Sequence, residues 1–386
     1  MGGNLSIAEI AQDDARGRRE FLELPFDLYR SDPNWVPPHL STQAKLFARK
    51  TAFAKHGKMG LFLARRDGRT VGRVAAIHNT AHNEYHKDRV GFFGFFECRL
   101  GDDEAANGLL SAAEEWLGAR GLQSIRGPVN PSMNGTCGLL VEGFDSPPMA
   151  MMPYNPPYYP AMLEAMGLAK CKDLFAYIIR AEQVEPGSPV FDRLTKAADL
   201  IHRRYPDVSV RPINMRDYRR EIVNFVAVFE AARRNNWGYV PVSEEDLMET
   251  VRDVKSVADP EIVLVAEVKG EPAGACLSIP NINRGLAACG GRMWPLGFLK
   301  YLWAMKRNTE MRIVAIAALE RFRHQGITAM LFLETILRGL PLGYKTAEAS
   351  WILEDNVMSN RTINQVLDAP KYKTYRIYEK QMGTGG

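Results

Sequence analysis

The feature that most constrains the fold is a shared order of predicted elements in the two halves of the chain. Each half has the pattern of a hairpin, a strand, an amphipathic helix and a further strand. The hairpins are marked by Asp67-Gly68 and Lys269-Gly270, which lie between β-rich runs. Apolar residues at helical spacing then predict helices over 104–119 and 327–340. We therefore expect a structural duplication, although the halves share little sequence identity.

The chain has 386 residues, enough for two or three domains. Residues 182–190 carry two prolines, a glycine and two glutamates, a composition typical of a linker. We therefore expect an N-terminal domain over 1–183 and a C-terminal domain over 190–386.

Composition excludes several classes of protein. Apolar residues make up 46% and charged residues 24% of the chain, so disorder, coiled coil and disulfide-stapled folds are excluded. The net charge of +4 is too small to indicate nucleic-acid binding, but it suits an anionic ligand or membrane surface. Five scattered cysteines without a secretory signal predict reduced thiols and a cytoplasmic location. The chain has no run of 18 apolar residues, so the sequence predicts no membrane-spanning helix.

The most informative segment lies between the predicted strand 311–319 and the helix that follows it, and reads ERFRHQGITA over 320–329. The first N–H groups of a helix have no internal partner, and the helix dipole favours an anion there. Arg321, Arg323 and His324 would add positive charge, so the turn could hold a pyrophosphate. The alternative is an ordinary strand–turn–helix with surface arginines.

This turn resembles the acyl-CoA-binding R/Q-x-x-G-x-G/A turn of the GCN5-related N-acetyltransferase (GNAT) fold. Arg323 and Gly326 match the pattern, whereas Thr328 stands where the family prefers Gly or Ala. The resemblance implies an acyl-CoA donor. The residues that it implies for the CoA phosphates are Arg321, Arg323, Gly326, Ile327, Thr328 and Ala329.

A second GNAT-like segment, EDNVMSN over 354–360, follows the predicted strand 346–354 and is similar to an E-x-N-x-x-A pattern of the family. The similarity implies that the strand edge from Trp351 to Asn356 binds pantetheine. The alternative is a polar strand end in which Asn356 or Asn360 caps a helix.

The first half lacks the basic turn. At the corresponding position it has three successive acidic residues, Asp102-Asp103-Glu104, which would repel a pyrophosphate. We expect a degenerate copy whose long loops bind the acceptor. The candidate substrate-binding residues are Asn130, Asn134, Tyr154 and Asn155. Asparagine and proline are also common in purely structural turns, and that alternative stays open.

Acyl transfer to an amine needs a base and an acid. Glu348, Glu354 and Glu142 are the candidate bases, and Glu142 would suit if it were partly buried. Tyr375 or Tyr372 lies where GNAT enzymes often place an acid. We expect no metal, because His78, His82 and His86 lack a recognisable third ligand.

Residues 293–307 form the most apolar stretch of the chain and carry interleaved and flanking Lys and Arg. Aromatic residues with nearby cations are typical of segments at a membrane interface. We expect Trp294, Phe298 and Trp303 to contact a membrane. A buried core helix or an interdomain contact is the alternative.

Four motifs place most of the chain in one group: NPSMNGTCGLL, MMPYNPPYY, NNWGYVPV and EASWILEDN. They resemble bacterial tandem GNAT-like proteins, some of which look like bacterial ceramide synthases. The resemblance implies an α/β (α+β) fold of two GNAT-like domains, each with a mixed, mostly antiparallel sheet flanked by helices. It also implies a long-chain acyl-CoA donor, a sphingoid-base or other lipid amine as acceptor, an inner-membrane surface as partner and no nucleic acid.

Three other functions remain open at this point. One is a soluble acetyltransferase of a small amine. Another is a non-catalytic acyl-CoA or lipid-binding protein, and the third is a Fem-like transferase that uses aminoacyl-tRNA.

Overall fold

The computed structural model describes residues 3–11, 13–48, 51, 53–234, 236–242 and 257–383. Asn235, the first residue of the NNWGYVPV motif, lies outside the described residues. The chain divides into two compact units. The first comprises Met1–Asp173, Gly285–Leu302 and Thr374–Gly386, and the second comprises Leu174–Arg284 and Trp303–Lys373.

The described residues form the following strands: β1 Leu5–Glu9, β2 Gly57–Arg66, β3 Arg69–Asn79, β4 Val90–Cys98, β5 Ser124–Gly127, β6 Val129–Asn130, β7 Thr136–Cys137, β8 Leu139–Glu142, β9 Ala169–Arg180, β10 Val208–Pro212, β11 Val263–Val268, β12 Glu271–Pro280, β13 Glu310–Ala318, β14 Thr346–Leu353 and β15 Lys371–Gln381. The helices are α1 Ala15–Leu28, α2 Leu40–Leu46, α3 Thr80–His86, α4 Asp103–Gly118, α5 Tyr159–Ala165, α6 Ala181–Val184, α7 Pro189–Arg204, α8 Tyr218–Arg233, α9 Asn283–Cys289, α10 Gly297–Lys306, α11 Ile327–Gly339 and α12 Val357–Arg361.

The first unit contains a sheet with strand order β1-β2-β3-β4-β5, which continues into residues 374–381 of β15. Strand β8 also pairs with β15. All neighbours are antiparallel except β4 and β5, which are parallel.

The second unit contains a sheet with strand order β10-β11-β12-β13-β14, completed by residues 174–180 of β9. Here β13 and β14 are the parallel pair, and the other neighbours are antiparallel. Each unit therefore has the predicted mixed, mostly antiparallel sheet, with one parallel pair that follows a strand–turn–helix crossover.

Both predicted hairpins are present, and their turns explain why the sequence marks them so clearly. Asp67 and Gly68 have φ values of 49° and 77°, and Lys269 and Gly270 have values of 54° and 79°. Two successive residues with positive φ match the right-handed twist of the flanking strands. Glycine adopts this conformation without steric cost.

Each unit packs one long helix of its crossover against its sheet. In the first unit, α4 buries Leu109, Ala113 and Leu117 in a core with residues of β3 and β4. In the second unit, α11 buries Ile327, Leu331 and other apolar residues in a separate core. The apolar spacing that predicted the two helices is therefore the spacing that buries them.

The segment 182–190, predicted as a linker, includes parts of two helices. Residues 181–184 form the short helix α6, and α7 already begins at Pro189, whose missing N–H suits the first helical position. Of the predicted segment, only 185–188 lies between helices.

Candidate active site

The candidate site lies in the second unit, where the two parallel strands diverge. Strands β13 and β14 pair at four positions, from Glu310 opposite Thr346 to Ile313 opposite Ala349. Beyond these positions β13 continues to Ala318 beside β12, while the register of β14 against β9 shifts after Ala349. The backbone of the two diverging strands is therefore available to hydrogen-bond an inserted ligand.

A tight turn connects β13 to α11 at the same edge of the sheet. A 3₁₀ turn over Glu320–Gln325 leads to Gly326, which has a φ of 73°. A Cβ atom at Gly326 would lie 2.4 Å from Cδ1 of Ile201. Only glycine fits this position without displacing its neighbour, which explains the glycine in the motif.

The N-terminus of α11 carries no side-chain cap, because Gly326 occupies the N-cap position. The N–H groups of the first helical residues have no intrahelical acceptor, and the positive end of the helix dipole lies there. Ile327 is buried, whereas Thr328 and Ala329 are half-buried. This corner of the fold is therefore suited to an anion.

The basic residues of the turn differ in whether they already form an ion pair. Arg321 forms an ion pair with Glu271, and its guanidinium lies 4.8 Å from the centre of the Phe322 ring. Arg323 and His324 are exposed, and neither forms an ion pair or hydrogen bond with any residue that the structure describes. Arg323 is therefore the cation of the turn that is available to a ligand.

A shallow cavity of about 460 Å³ borders the turn. Its charged lining residues are two cations, Arg204 and Lys269, and two carboxylates, Asp207 and Glu271. Lys269 pairs with Asp207 at 3.6 Å. Two aromatic rings, Tyr205 and Phe322, also line the cavity. Gln325 completes this side of the cavity. The two rings could therefore contact an aromatic group next to an anion bound at the turn.

Glu348 lies one residue before the strands diverge and is fully buried. Its register partner across the parallel pair is Arg312, which is also buried, and Nε of Arg312 lies 3.8 Å from a Glu348 oxygen. Arg312 donates hydrogen bonds to Oγ and to the carbonyl oxygen of Ser350, at 2.8 and 3.0 Å. The hydroxyl groups of Ser350 and Tyr372 both donate to the Glu348 carboxylate.

Tyr372 is half-buried, so its hydroxyl connects a buried carboxylate to an accessible side chain. Burial raises the pKa of Glu348, while the positive charge of Arg312 and the hydrogen bonds from Ser350 and Tyr372 oppose that shift. A carboxylate with a raised pKa next to a tyrosine hydroxyl can accept a proton and return it.

Lys373 is also buried and lies next to this network. Its Nζ atom is 5.3 Å from the centre of the Tyr372 ring, and its charge opposes the rise in the pKa of Glu348. Two cations, Arg312 and Lys373, thus lie near the Glu348 carboxylate. Positive charge at this place suits a site in which an oxyanion develops.

The polar segment after β14 is structured by its own asparagines. The side chain of Asn356 accepts a hydrogen bond from the Ser359 N–H at 3.2 Å and so caps α12. Asn360 donates to the carbonyl oxygen of Leu353 and accepts from the hydroxyl of Tyr177, both at 2.9 Å. Asn356 thus makes the contact that the capping alternative expects. Trp351 and Glu354 are half-exposed.

The predicted substrate-binding residues lie in the first unit, and three of them make hydrogen bonds within it. Asn130 accepts from the Phe95 N–H at 2.7 Å, and Tyr154 donates to Asp32 at 2.9 Å. Asn155 is buried and pairs with both the N–H and the carbonyl of Leu140, at 2.7 and 3.1 Å. Asn134 is exposed. The three contacts are those of residues that hold loops in place.

The two remaining acid and base candidates also lie in the first unit. Glu142 is exposed rather than partly buried, because it stands at the end of β8. Its carboxylate accepts a hydrogen bond from the Thr374 hydroxyl at 2.5 Å. Tyr375 is fully buried in β15. Tyr372, its alternative, is the tyrosine that contacts a candidate base.

Sequence reasoning missed Arg312, Ser350 and Lys373. The available signal was a lone charged residue inside an apolar strand, as in MRIVAIAA over 311–318. Such a residue is rarely buried without a partner. Which partner it has depends on the register of strands far apart in sequence.

The residues that the structure describes were also considered as ligands of a metal ion and as parts of a membrane span. No group of three or more His, Cys, Asp or Glu residues that could hold a metal ion occurs among them. No helix in this part of the chain has the length and apolar character needed to cross a membrane.

Comparisons with known proteins agree with this architecture. No protein-family profile matches the chain. A tandem GNAT protein from the clavulanic acid biosynthesis pathway superposes with a TM-score of 0.59 at 12% identity, over 99% of this chain and all of that one. A GCN5-related N-acetyltransferase from Sphaerobacter thermophilus gives 0.55 at 13% identity, over 99% and 97%. These structures show the fold.

Two curated proteins are similar in sequence over nearly their whole length. Protein YghO of Escherichia coli is 31% identical over 371 residues, which cover 94% of this chain and 93% of that protein. The bacterial ceramide synthase of Caulobacter vibrioides is 34% identical over 389 residues, which cover 98% of both. The chain therefore belongs to the same family as this ceramide synthase, a family of tandem GNAT-like N-acyltransferases.

Proposed function

We propose that the protein transfers a long-chain acyl group from acyl-CoA to the amine of a sphingoid base. The observation that supports acyl-CoA as the donor is the N-terminus of α11, which has no side-chain cap. The turn before it carries Arg323, which has no partner among the described residues. The acceptor half is supported by the 34% identical relative, which is named as a bacterial ceramide synthase.

The donor fits the residues around the turn. Arg323 and the N–H groups of Ile327 to Ala329 would hold the CoA diphosphate, since unpaired helix N–H groups and a guanidinium are both strong phosphate donors. The diverging backbone of β14 near Trp351 would pair with the pantetheine amides. The cavity that Tyr205 and Phe322 line would receive the nucleotide end of the donor.

The chemistry requires one proton to move from the amine to the leaving thiolate. The neutral amine attacks the thioester carbonyl, so that an N–C bond forms and, after a tetrahedral oxyanion, the C–S bond breaks. In this proposal the Tyr372 hydroxyl takes a proton from the attacking nitrogen while it passes its own proton to Glu348. The reverse transfer then protonates the CoA thiolate, and Arg312 and Lys373 provide positive charge near the oxyanion.

The test is thiol release from acyl-CoAs of C2 to C18, with sphinganine or 3-ketosphinganine as acceptor, with and without anionic vesicles. The Arg323→Ala variant should raise the apparent KM for the donor about tenfold, as expected for loss of a charged hydrogen bond. Arg220→Ala is the matched control, because Arg220 is an exposed arginine of α8 in the same unit.

The proposal requires release that depends on a long-chain donor and on a sphingoid acceptor, with a KM effect in Arg323→Ala only. Release from acetyl-CoA without a lipid acceptor would overturn it in favour of a small-amine acetyltransferase. CoA binding without release from any donor would overturn it in favour of a binding protein.

A further inference from the structure

One continuous segment exposes an unusual number of large apolar side chains. We call the exposed residues of 292–307 the apolar platform. Its apolar members and their exposed fractions are Trp294 88%, Leu296 64%, Phe298 54%, Leu299 63%, Leu302 46% and Trp303 59%. Single exposed apolar residues are ordinary on protein surfaces, but six within ten positions form a contiguous patch, which marks an interaction site.

The helix α10 presents these residues on its outer side. At about 100° per residue, the four exposed apolar residues of the helix fall within an arc of about 140°. In order around the arc they are Phe298, Leu302, Leu299 and Trp303. Tyr301 lies on the opposite side and is half-buried, and its ring fills the space where Gly285 lacks a side chain. The outward side of the helix is thus mainly apolar, and one cation, Lys306, falls within the same arc, between Leu302 and Leu299.

The charges of the segment have one sign. It contains Arg292, Lys300, Lys306 and Arg307 and no acidic residue. None of these four cations forms an ion pair with a residue that the structure describes. Lys300 and Arg307 follow Trp303 at the edge of the arc, and the Arg307 guanidinium lies 3.7 Å from the centre of the Trp303 ring.

We infer that the apolar platform docks the protein on an anionic bilayer surface, with α10 lying in the plane of the interface. Apolar rings would enter the boundary between headgroups and acyl chains, while the long Lys and Arg side chains reach the anionic headgroups. Each cation near such a surface adds attraction. The inference extends the proposed function, because it places the protein where a lipid amine is found.

A second copy of the chain is a poorer occupant. In a two-fold dimer the same patch meets itself, so the four cations of one platform would face the four of the other. No acidic residue of the segment could offset that repulsion. An anionic lipid surface supplies the opposite charge that the platform lacks.

The experiment is co-sedimentation of the full-length protein with vesicles of phosphatidylcholine alone or mixed with phosphatidylglycerol, without any acyl substrate. We expect binding to the mixed vesicles that weakens as salt is raised. The variant Trp294→Ser/Phe298→Ser/Trp303→Ser should bind at least tenfold more weakly. The variant Lys300→Glu/Lys306→Glu should lose the preference for phosphatidylglycerol.

The matched control replaces three apolar residues that are exposed elsewhere, Leu100, Leu200 and Val223, with serine. It should bind like the wild type. Unchanged melting temperatures show that each variant folds. Equal binding by the platform variant and the wild type would overturn the inference, as would no binding of wild type to the mixed vesicles. Light scattering that shows a dimer broken by the platform substitutions, without vesicle binding, would assign the platform to a second copy instead.

The inference about the apolar platform and the proposed function can be contradicted independently of each other. Protein that binds vesicles but releases no thiol from any donor would retain the platform and overturn the proposed function. Protein that releases thiol with a sphingoid acceptor but does not bind vesicles would overturn the platform alone.

Discussion

The two units build the same strand–turn–helix corner with opposite electrostatics. In the first unit, Asp102 caps α4 by accepting the Ala105 N–H at 3.3 Å and forms an ion pair with Arg66 at 2.7 Å. Asp103 and Glu104 follow in the first turn of that helix. In the second unit the cap is a glycine, and the turn before it is basic. The same order of strand, turn and helix therefore has one helix N-terminus capped by a carboxylate and the other without a side-chain cap.

The gap beside the parallel strands differs in the same way. In the first unit β4 and β5 pair at three positions and then diverge. There the chain itself packs beside β4: Asn130 accepts the Phe95 N–H, and the carbonyl of Val129 would lie 1.8 Å from a Cβ atom on Gly94. Residues 129–130 thus take the place that we assign to pantetheine in the second unit.

Each unit also buries a carboxylate with an arginine and a tyrosine. Glu97 of β4 accepts hydrogen bonds from Tyr29 and Tyr159 at 2.8 Å and pairs with Arg73 at 3.5 Å. Both tyrosines are buried, so no side chain of this network connects the carboxylate to solvent in the way that Tyr372 does for Glu348. The Glu348 network ends at the half-buried Tyr372. The comparison indicates a structural role for one carboxylate and a proton-transfer role for the other.

The largest expected effect is that of Glu348→Gln on the rate. The amide keeps the shape of the side chain but cannot accept a proton, so kcat should fall by about 10²- to 10⁴-fold, the usual contribution of a general base. Steady-state thiol release at saturating donor and acceptor measures this fall. The matched variant is Glu97→Gln in the first unit. A comparable loss of kcat in Glu97→Gln that is still folded would remove the distinction between the two carboxylates.

Replacing the Glu97 carboxylate should instead lower stability. Glu97→Ala leaves Arg73 buried without its partner, which costs about 3–5 kcal/mol in the free energy of unfolding. Urea denaturation followed by circular dichroism measures the change. The surface pair of Arg19 and Glu23 offers the control, since Glu23→Ala breaks only an exposed ion pair of α1. Equal effects of the two substitutions would show that the buried network contributes no more than the surface pair.

The turn before α11 depends on Gly326. Comparing two glycine substitutions separates the effect of the steric clash from that of the positive φ. Gly326→Ala places a residue at a φ of 73° and a Cβ atom against Ile201, whereas Gly343→Ala has a φ of 90° with no atom within 4 Å. The left-handed conformation alone should cost each variant about 1–2 kcal/mol of stability. Gly326→Ala should lose more and should also weaken CoA binding, measured by calorimetry. If both variants bound CoA like the wild type, the turn would not be the CoA site.

The smallest expected effect is a shift in the pH dependence of the rate. Burial raises the pKa of Glu348, so its carboxylate becomes protonated at a higher pH than that of an exposed glutamate. Activity should therefore fall with decreasing pH through an acid limb above about pH 4.3, the usual glutamate value. The same raised pKa means that the folded state binds this proton more tightly, so the contribution of Glu348 to stability increases as pH falls. A pH profile of kcat/KM whose limb stays at the usual value would contradict the assignment.

The strand, turn and helix of the second unit show which structural features could be predicted from the sequence. The predicted strand 311–319 and helix 327–340 agree within a residue with Glu310–Ala318 and Ile327–Gly339, because apolar spacing and a turn glycine are local signals. The hydrogen-bond partners of Glu348 were not predictable. They depend on the parallel register that brings Arg312 opposite Glu348 across 36 positions of sequence. Asn356 shows the ambiguity of a local motif, since the same residue suits a ligand and a helix cap.

The central claim is that one corner, in the second unit, binds CoA. Isothermal titration of the full chain with CoA tests it most directly, with Arg323→Glu as the test variant. Arg69→Glu, an exposed arginine of β3 in the first unit, is the control. We predict one CoA per chain, at least tenfold weaker binding in Arg323→Glu, and wild-type binding in Arg69→Glu. Two CoA molecules per chain, or unchanged binding in Arg323→Glu, would contradict the account.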